Sequence, residues 1–268
     1  MASPDSSDSV RQDITERLDA VEREHDATVL YACESGSRAW GFASADSDYD
    51  VRFIYTHPRD WYLSLDLDRR DDTVDPPVTE ALDLHGWDLR KALRLFRTSN
   101  PSLLEWLRSP IVYREDEATM TRWRDLLPRY YTPRAAGYAY RNMAQSIAQG
   151  HLSGETVSRK AYLYVLRALL AVRWVEQQAG PVPVRFNTLV GSCVESQALQ
   201  TAIEQLVAEK RAGREEDALP PRPPIHAFID EELDRLQDSH FADASPQNPW
   251  EPLNAVFRDV LSRFAPLP

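Results

Sequence analysis

Cysteine is scarce in this chain. Cys33 and Cys193 are the only two in 268 residues, too few for a disulfide framework. The six histidines, His25, His57, His85, His151, His226 and His240, are scattered without the close pairing of a zinc site. No apolar run approaches the ~20 residues needed to cross a bilayer. The opening stretch, Met1 to Asp8, is small, polar and acidic, without the basic start and apolar centre of a secretory signal. No repeat of solenoid length occurs. The expectation is a cytoplasmic protein with no membrane partner. Cations are outnumbered as well: 31 Lys and Arg stand against 42 Asp and Glu, a net charge of −11. Such a surface disfavours broad, nonspecific nucleic-acid binding, though it leaves room for a local basic groove. Apolar residues make up 43% of the chain, enough for the core of one large domain or two modest ones.

The most informative stretch runs from Ser35 to Val51. A small-residue turn, Gly36-Ser37, is followed after a short interval by Asp48-Tyr49-Asp50. Glycine lets a backbone approach a ligand closely, and amides at a turn leading into a helix attract anions. Residues 48–56 alternate, with Tyr49, Val51, Phe53 and Tyr55 on one face of a strand and Asp48, Asp50 and Arg52 on the other. Two carboxylates on one strand face can share magnesium ions that bridge a triphosphate. An Asp-rich loop that is merely solvated is the plainer reading of Asp-x-Asp alone. The upstream Gly-Ser turn and the half-buried strand downstream favour a site. A second alternating segment, 78–85, offers Asp83 as a third carboxylate, and Gly86 is expected to end that strand.

Around these strands the spacing predicts a disordered tail over residues 1–9, a helix over 10–25, a strand over 28–33, and a short helix from Arg38 to Phe42. A helix capped by Asp88 and another opened by Asn100-Pro101 follow. Beyond about residue 115 the pattern is helical, over 115–127, 133–149, 155–178, 194–211, 225–238 and 250–264, with a proline-rich connector at 213–224. The division expected is a mixed α/β domain over 10–130 and a helical domain over 131–268.

A triphosphate needs countercharge beyond metal ions. Arg38 follows the turn, Arg52 shares the strand face of the aspartates, and Lys91 lies one turn into the helix after Asp83. On the long helix Lys160, Tyr164 and Arg167 form one stripe at helical spacing, with Tyr164 placed to stack on a base. A solvated helix face explains that stripe equally well.

The Gly36-Ser37 and Asp48-Tyr49-Asp50 pair resembles the signature of the DNA polymerase beta-like nucleotidyltransferase superfamily. The stretches Leu84-His85-Gly86-Trp87-Asp88-Leu89-Arg90-Lys91, Ser99 to Pro110 and Arg159 to Arg167 are similar to its RNA repair pathway branch. The resemblance implies an α+β fold: an N-terminal nucleotidyltransferase domain with a mixed sheet and flanking helices, then a C-terminal helical domain that closes the nucleotide cleft. It implies that Asp48, Asp50 and Asp83 hold two magnesium or manganese ions and act in catalysis, and that Gly36 and Ser37 hold the nucleoside triphosphate. The implied reaction moves a nucleoside monophosphate to an acceptor hydroxyl, with an RNA end the acceptor favoured by the family. Transfer to a protein or a small molecule, or an inactive nucleotide- or RNA-binding module, are the alternatives. Base preference and oligomeric state have no signature in the residues.

Overall fold

The computed structural model describes residues 4–79, 81–152, 156–177, 180–213, 218–237, 239–241 and 248–264. In chain order the elements are α1 (Pro4–His25), β1 (Thr28–Glu34), α2 (Gly36–Trp40), β2 (Tyr49–Thr56), α3 (Arg59–Tyr62), a 3-10 turn (Leu67–Arg69), β3 (Thr73–Val74) and β4 (Leu82–Asp88). These are followed by α4 (Leu89–Arg97), α5 (Pro101–Trp106), β5 (Val112–Glu115), α6 (Glu117–Asp125), α7 (Leu127–Tyr130) and α8 (Pro133–His151). The remainder is β6 (Val157–Ser158), α9 (Arg159–Glu176), α10 (Phe186–Cys193), α11 (Gln197–Ala212), β7 (Ala218–Leu219), α12 (Pro223–Arg235) and α13 (Trp250–Phe264). The fold is α+β.

The chain divides into two compact units. The first contains residues up to Ala39, Asp48–Tyr130 and the C-terminal helix α13. Its five-stranded sheet has the order β3-β4-β2-β1-β5. β2 and β4 run parallel, and the other pairings are antiparallel. α1 lays Ile14, Leu18 and Val21 against Val51, Phe53 and Tyr55 of β2 and Leu82 and Leu84 of β4. The alternation read from the sequence therefore puts the apolar side of β2 in a core and leaves Asp50 and Arg52 on the opposite face.

Three sequence expectations need correction here. α1 begins at Pro4, within the stretch expected to be a disordered tail, and Met1 to Ser3 lie outside the described residues. Proline is tolerated in the first turn of a helix. β4 runs through Gly86 to Asp88 rather than stopping there, because Gly86 is paired with Phe53 across the sheet and a β-carbon on it would strike the Phe53 ring. The glycine makes room for an aromatic side chain and breaks nothing. The expected alternation over 78–85 includes Glu80, which lies outside the described residues. Finally, α13 belongs to the first unit and not to a helical domain over 131–268. It packs on α4 and α6. The Phe257 ring meets Tyr62 edge-on at 5.0 Å, Arg263 pairs with Asp116, and Asn248 exchanges hydrogen bonds with Arg97. Contacts at such sequence separation leave no local pattern to read.

The second unit contains Trp40–Ser47 and the chain from Tyr131 through α12. α9 is its centre, with α8, α10, α11 and α12 packed on it. The two-stranded ribbon of β6 and β7 crosses the stretch expected to be a plain connector. α10 is a helix that the sequence reading did not anticipate.

Candidate active site

The site grows from the ends of two parallel strands. Register pairs Asp50 of β2 directly with Asp83 of β4, so the two side chains emerge side by side on the half-exposed face of the sheet. Arg52, two residues along the same face, holds them both. Its Nη2 lies 2.9 Å from Asp50 Oδ1 and 2.8 Å from Asp83 Oδ2, and its Nη1 donates to the Asp83 carbonyl at 3.1 Å. Arg52 was expected to meet phosphate; in the structure its guanidinium bridges the two carboxylates. Asp48 precedes the first residue of β2 and is exposed. Its backbone carbonyl accepts a hydrogen bond from Arg38 Nε at 3.1 Å.

The Gly36-Ser37 turn meets Asp50 at the other end of its contacts. Antiparallel pairing carries β1 past Asp50, and the Ser35 amide donates to the Asp50 carbonyl at 2.8 Å. Gly36 follows with φ +57°, and a β-carbon there would overlap Asp50 Oδ2. The glycine is thus required twice, by its dihedral and by the carboxylate against it. Ser37 is buried beside it. Arg38 lies over the Tyr49 ring, 3.6 Å from its centroid, which ties the residue after the turn to the first residue of β2.

Glu34 is the residue the sequence reading missed. It closes an otherwise apolar strand and is fully buried. Its Oε1 accepts from the Asp50 amide at 2.8 Å, and its Oε2 accepts from the Tyr113 hydroxyl. Burial pushes its carboxyl from the ordinary 4.5 up to about 7, against the lowering effect of the Tyr113 and Asp50 hydrogen bonds. An acid at the end of an apolar run was the available signal, and it reads as the start of a turn.

The sign of that shift gives a prediction. Between about pH 4.5 and 7 the folded chain keeps a proton that the unfolded chain has released. The contribution of Glu34 to stability therefore falls as pH rises through this window. Glu34→Gln removes the titration while its amide can still serve the Asp50 amide and Tyr113. In urea unfolding with EDTA, wild type should lose on the order of 3 kcal/mol relative to the variant between pH 4.5 and 7.5. Parallel pH profiles for the two proteins would refute the assignment.

Lys91 is not brought to this site. β4 carries Asp83 at one end and α4 begins at the other, roughly 16 Å away for five residues of strand. There Lys91 Nζ pairs with Asp72 at 2.7 Å, and Asp88 caps α4 by accepting from the Arg90 amide. A helix that follows a strand starts at the strand's far end, which the sequence distance from Asp83 conceals.

Lys160, Tyr164 and Arg167 lie in the second unit, and their stripe runs from an exposed Lys160 through a partly buried Tyr164 to a buried Arg167. Arg167 is only 2% exposed, with its guanidinium 4.2 Å from the Trp40 ring centroid. Tyr164 meets Trp40 edge-on at 4.9 Å, and Lys160 Nζ lies 5.9 Å from the Tyr164 ring. Arg167 is buried because α8, α10, α11 and α12 all pack on α9. Phe42 adds an edge-on contact with Phe186 at 5.4 Å. The buried Lys210 ammonium donates to Ser44 and Ser47 at 3.0 and 3.3 Å. The segment joining Gly-Ser to Asp-x-Asp is thereby built into the helical unit.

Among the described residues no three His, Cys, Asp or Glu side chains form a ready metal cluster. The oxygens that Asp50 and Asp83 present are of the hard kind that divalent cations take. They are all carboxylate oxygens, and a positive group already stands between Asp50 and Asp83 in the form of Arg52.

A mixed sheet that sets paired strand-end carboxylates against a Gly-Ser turn suits the polymerase beta-like nucleotidyltransferase class. The chain belongs, more narrowly, to the RNA repair pathway DNA polymerase beta family, whose model matches residues 10–259. It is 42% identical over 230 residues to the uncharacterized protein YcgL of Bacillus subtilis (strain 168), across 86% of this chain and 88% of that protein. A crystal structure of a nucleotidyltransferase-like protein from Exiguobacterium sibiricum 255-15 aligns over 94% of this chain and 90% of that one. It does so at 10% identity and a TM-score of 0.31, too slight a likeness to carry an argument. Among the described residues no helix is long and apolar enough to cross a membrane.

Proposed function

We propose that this protein transfers a nucleoside monophosphate from a nucleoside triphosphate to an acceptor hydroxyl, with an RNA end as the acceptor. The observation that carries the reading is the pairing of Asp50 with Asp83 across parallel strands, with Gly36 packed against the Asp50 carboxylate. The acceptor oxygen bonds to the α-phosphorus, the bond from that phosphorus to the bridging oxygen breaks, and pyrophosphate leaves. Asp48, Asp50 and Asp83 are the residues that would hold magnesium or manganese, whose charge would stabilise the attacking and leaving oxygens. Gly36 gives the triphosphate close approach to the backbone, and Ser37 and Arg38 supply donors at the turn. Asp83 accepts the proton of the acceptor hydroxyl. Arg52 keeps the two strand-end carboxylates in one orientation. The acceptor assignment is supported by the family's description.

The test is incubation of the full chain with magnesium, each α-labelled nucleoside triphosphate in turn, and single-stranded RNA. Lengthened, labelled RNA with one pyrophosphate released per transfer is the expected result. Pyrophosphate release with label on protein instead would move the acceptor. Absence of both label transfer and pyrophosphate release across all four nucleotides would overturn the reading.

A further inference from the structure

The helical unit holds a cleft of about 710 Å³ whose lining includes none of the residues assigned to the proposed transfer. Its apolar lining comes from Trp40, Phe42, Phe186 and Ile203, and two arginines, Arg185 and Arg211, stand exposed among the lining residues. Arg211 donates to the Gly41 carbonyl and so is fixed in place. Arg185 lies beside Gly41 with its Nη1 3.2 Å from where a β-carbon would sit, and it makes no hydrogen bond or ion pair among the described residues. Gly41 has φ +92°, a conformation that glycine tolerates. Glu204 is the one acid in the lining.

This is an unusual place for exposed guanidinium groups on a chain of net charge −11. The volume falls within the range of small-ligand sites, which combine apolar walls with a few polar groups. Of the aromatic side chains only Trp40 is partly exposed and can meet a flat ring, with the buried Phe42 and Phe186 backing it, and guanidinium groups match phosphate oxygens in a planar, two-toothed fashion. The amides of Asn187 and Gln200 also line the cleft and can read the edge of a ring. We propose that this cleft binds a phosphorylated nucleoside, with the ring against Trp40 and the phosphate on Arg185 and Arg211. Such a group can come from a free mononucleotide or from the 5′ end of single-stranded RNA. The proposal goes beyond the transfer reaction and stands whether or not that reaction occurs.

The experiment is calorimetric titration of the full chain with adenosine 5′-monophosphate and with a 5′-phosphorylated RNA hexamer, both in EDTA to leave the carboxylate site without metal. Two variants probe the cleft. Arg185→Glu reverses an exposed charge. Gly191→Glu puts a charged side chain into the cleft from α10, at a glycine whose added β-carbon meets nothing within 4 Å. Thermal melting identifies which variants remain folded. Saturable binding by wild type, weakened about tenfold or more in a folded variant, is the expected result. RNA binding more than tenfold tighter than the mononucleotide assigns the site to RNA, and equal affinities assign it to free nucleotide. No saturable binding of either probe, or affinity unchanged in the folded variants, would overturn the proposal. Label transfer is scored separately, so loss of that activity with cleft binding intact separates the two readings.

Discussion

Replacing Asp50 by asparagine is expected to lower nucleotidyl transfer by about three orders of magnitude, the scale at which loss of one electrostatic group at a reacting centre acts. The change keeps the shape of the side chain, so it leaves intact the packing of Gly36 against it and the backbone bonds from Ser35 and to Glu34. What it removes is negative charge at the point where β2 and β4 meet. Arg52 retains its partner Asp83. Its pair with Asp50 is partly buried, with side-chain exposures of 17% and 27%, and with Asp83 still in place the cost in stability should be on the order of 1 kcal/mol. Asp83→Asn is expected to behave alike. Lys91→Ala is the informative contrast. Its ammonium pairs with Asp72 at the opposite end of β4, and transfer should stay within about twofold of wild type. Initial rates of label transfer at saturating nucleotide, alongside melting temperatures, check the set. An Asp50→Asn protein that keeps a tenth of wild-type activity would remove these carboxylates from the reaction.

The contrast between Asp83 and Lys91 marks where sequence reading succeeds. Asp50 and Asp83 could be matched because side chains on a strand alternate with a period of two, so apolar neighbours reveal which face an acid occupies. Lys91 escapes such matching because proximity in sequence is not proximity in space across a strand and its following helix. Gly86 was read as a stop because glycine has no packing signature in its own residue; its reason is the Phe53 ring on the neighbouring strand. Arg167 misled in the opposite way. A charged residue at helical spacing reads as a wet surface, and only the tertiary contact with Trp40 shows a buried guanidinium stacked on an aromatic ring. α13 looked like the end of a helical domain because every element before it, back to α8, is helical apart from the short ribbon. Its partners Asp116 and Tyr62 lie far back in the chain. The same separation explains Glu34. Its role depends on Tyr113, 79 residues later.

Gly36→Ala should be the most damaging single substitution that adds one carbon to the site. Two costs arise together. A non-glycine residue at φ +57° is strained by about 1–2 kcal/mol, and the new β-carbon collides with the Asp50 carboxylate. The carboxylate must move, and with it the alignment that Arg52 imposes on Asp50 and Asp83. The expected outcome is a loss of at least about 2 kcal/mol in stability and of about 100-fold or more in transfer, as a roughly 1 Å misplacement of a reacting group can produce. A double-mutant cycle separates the two costs. In an Asp50→Ala background the carboxylate is gone and the nearest remaining side-chain atom, Cβ, is 3.4 Å from the added carbon, an ordinary contact. Gly36→Ala should then cost only its backbone strain, giving a coupling of about 1 kcal/mol or more between the two positions in urea unfolding. Additive effects would mean that the turn yields without pressing on Asp50. In that event glycine would be required at position 36 for its dihedral alone, and the close packing of turn and carboxylate would have no part in setting the site.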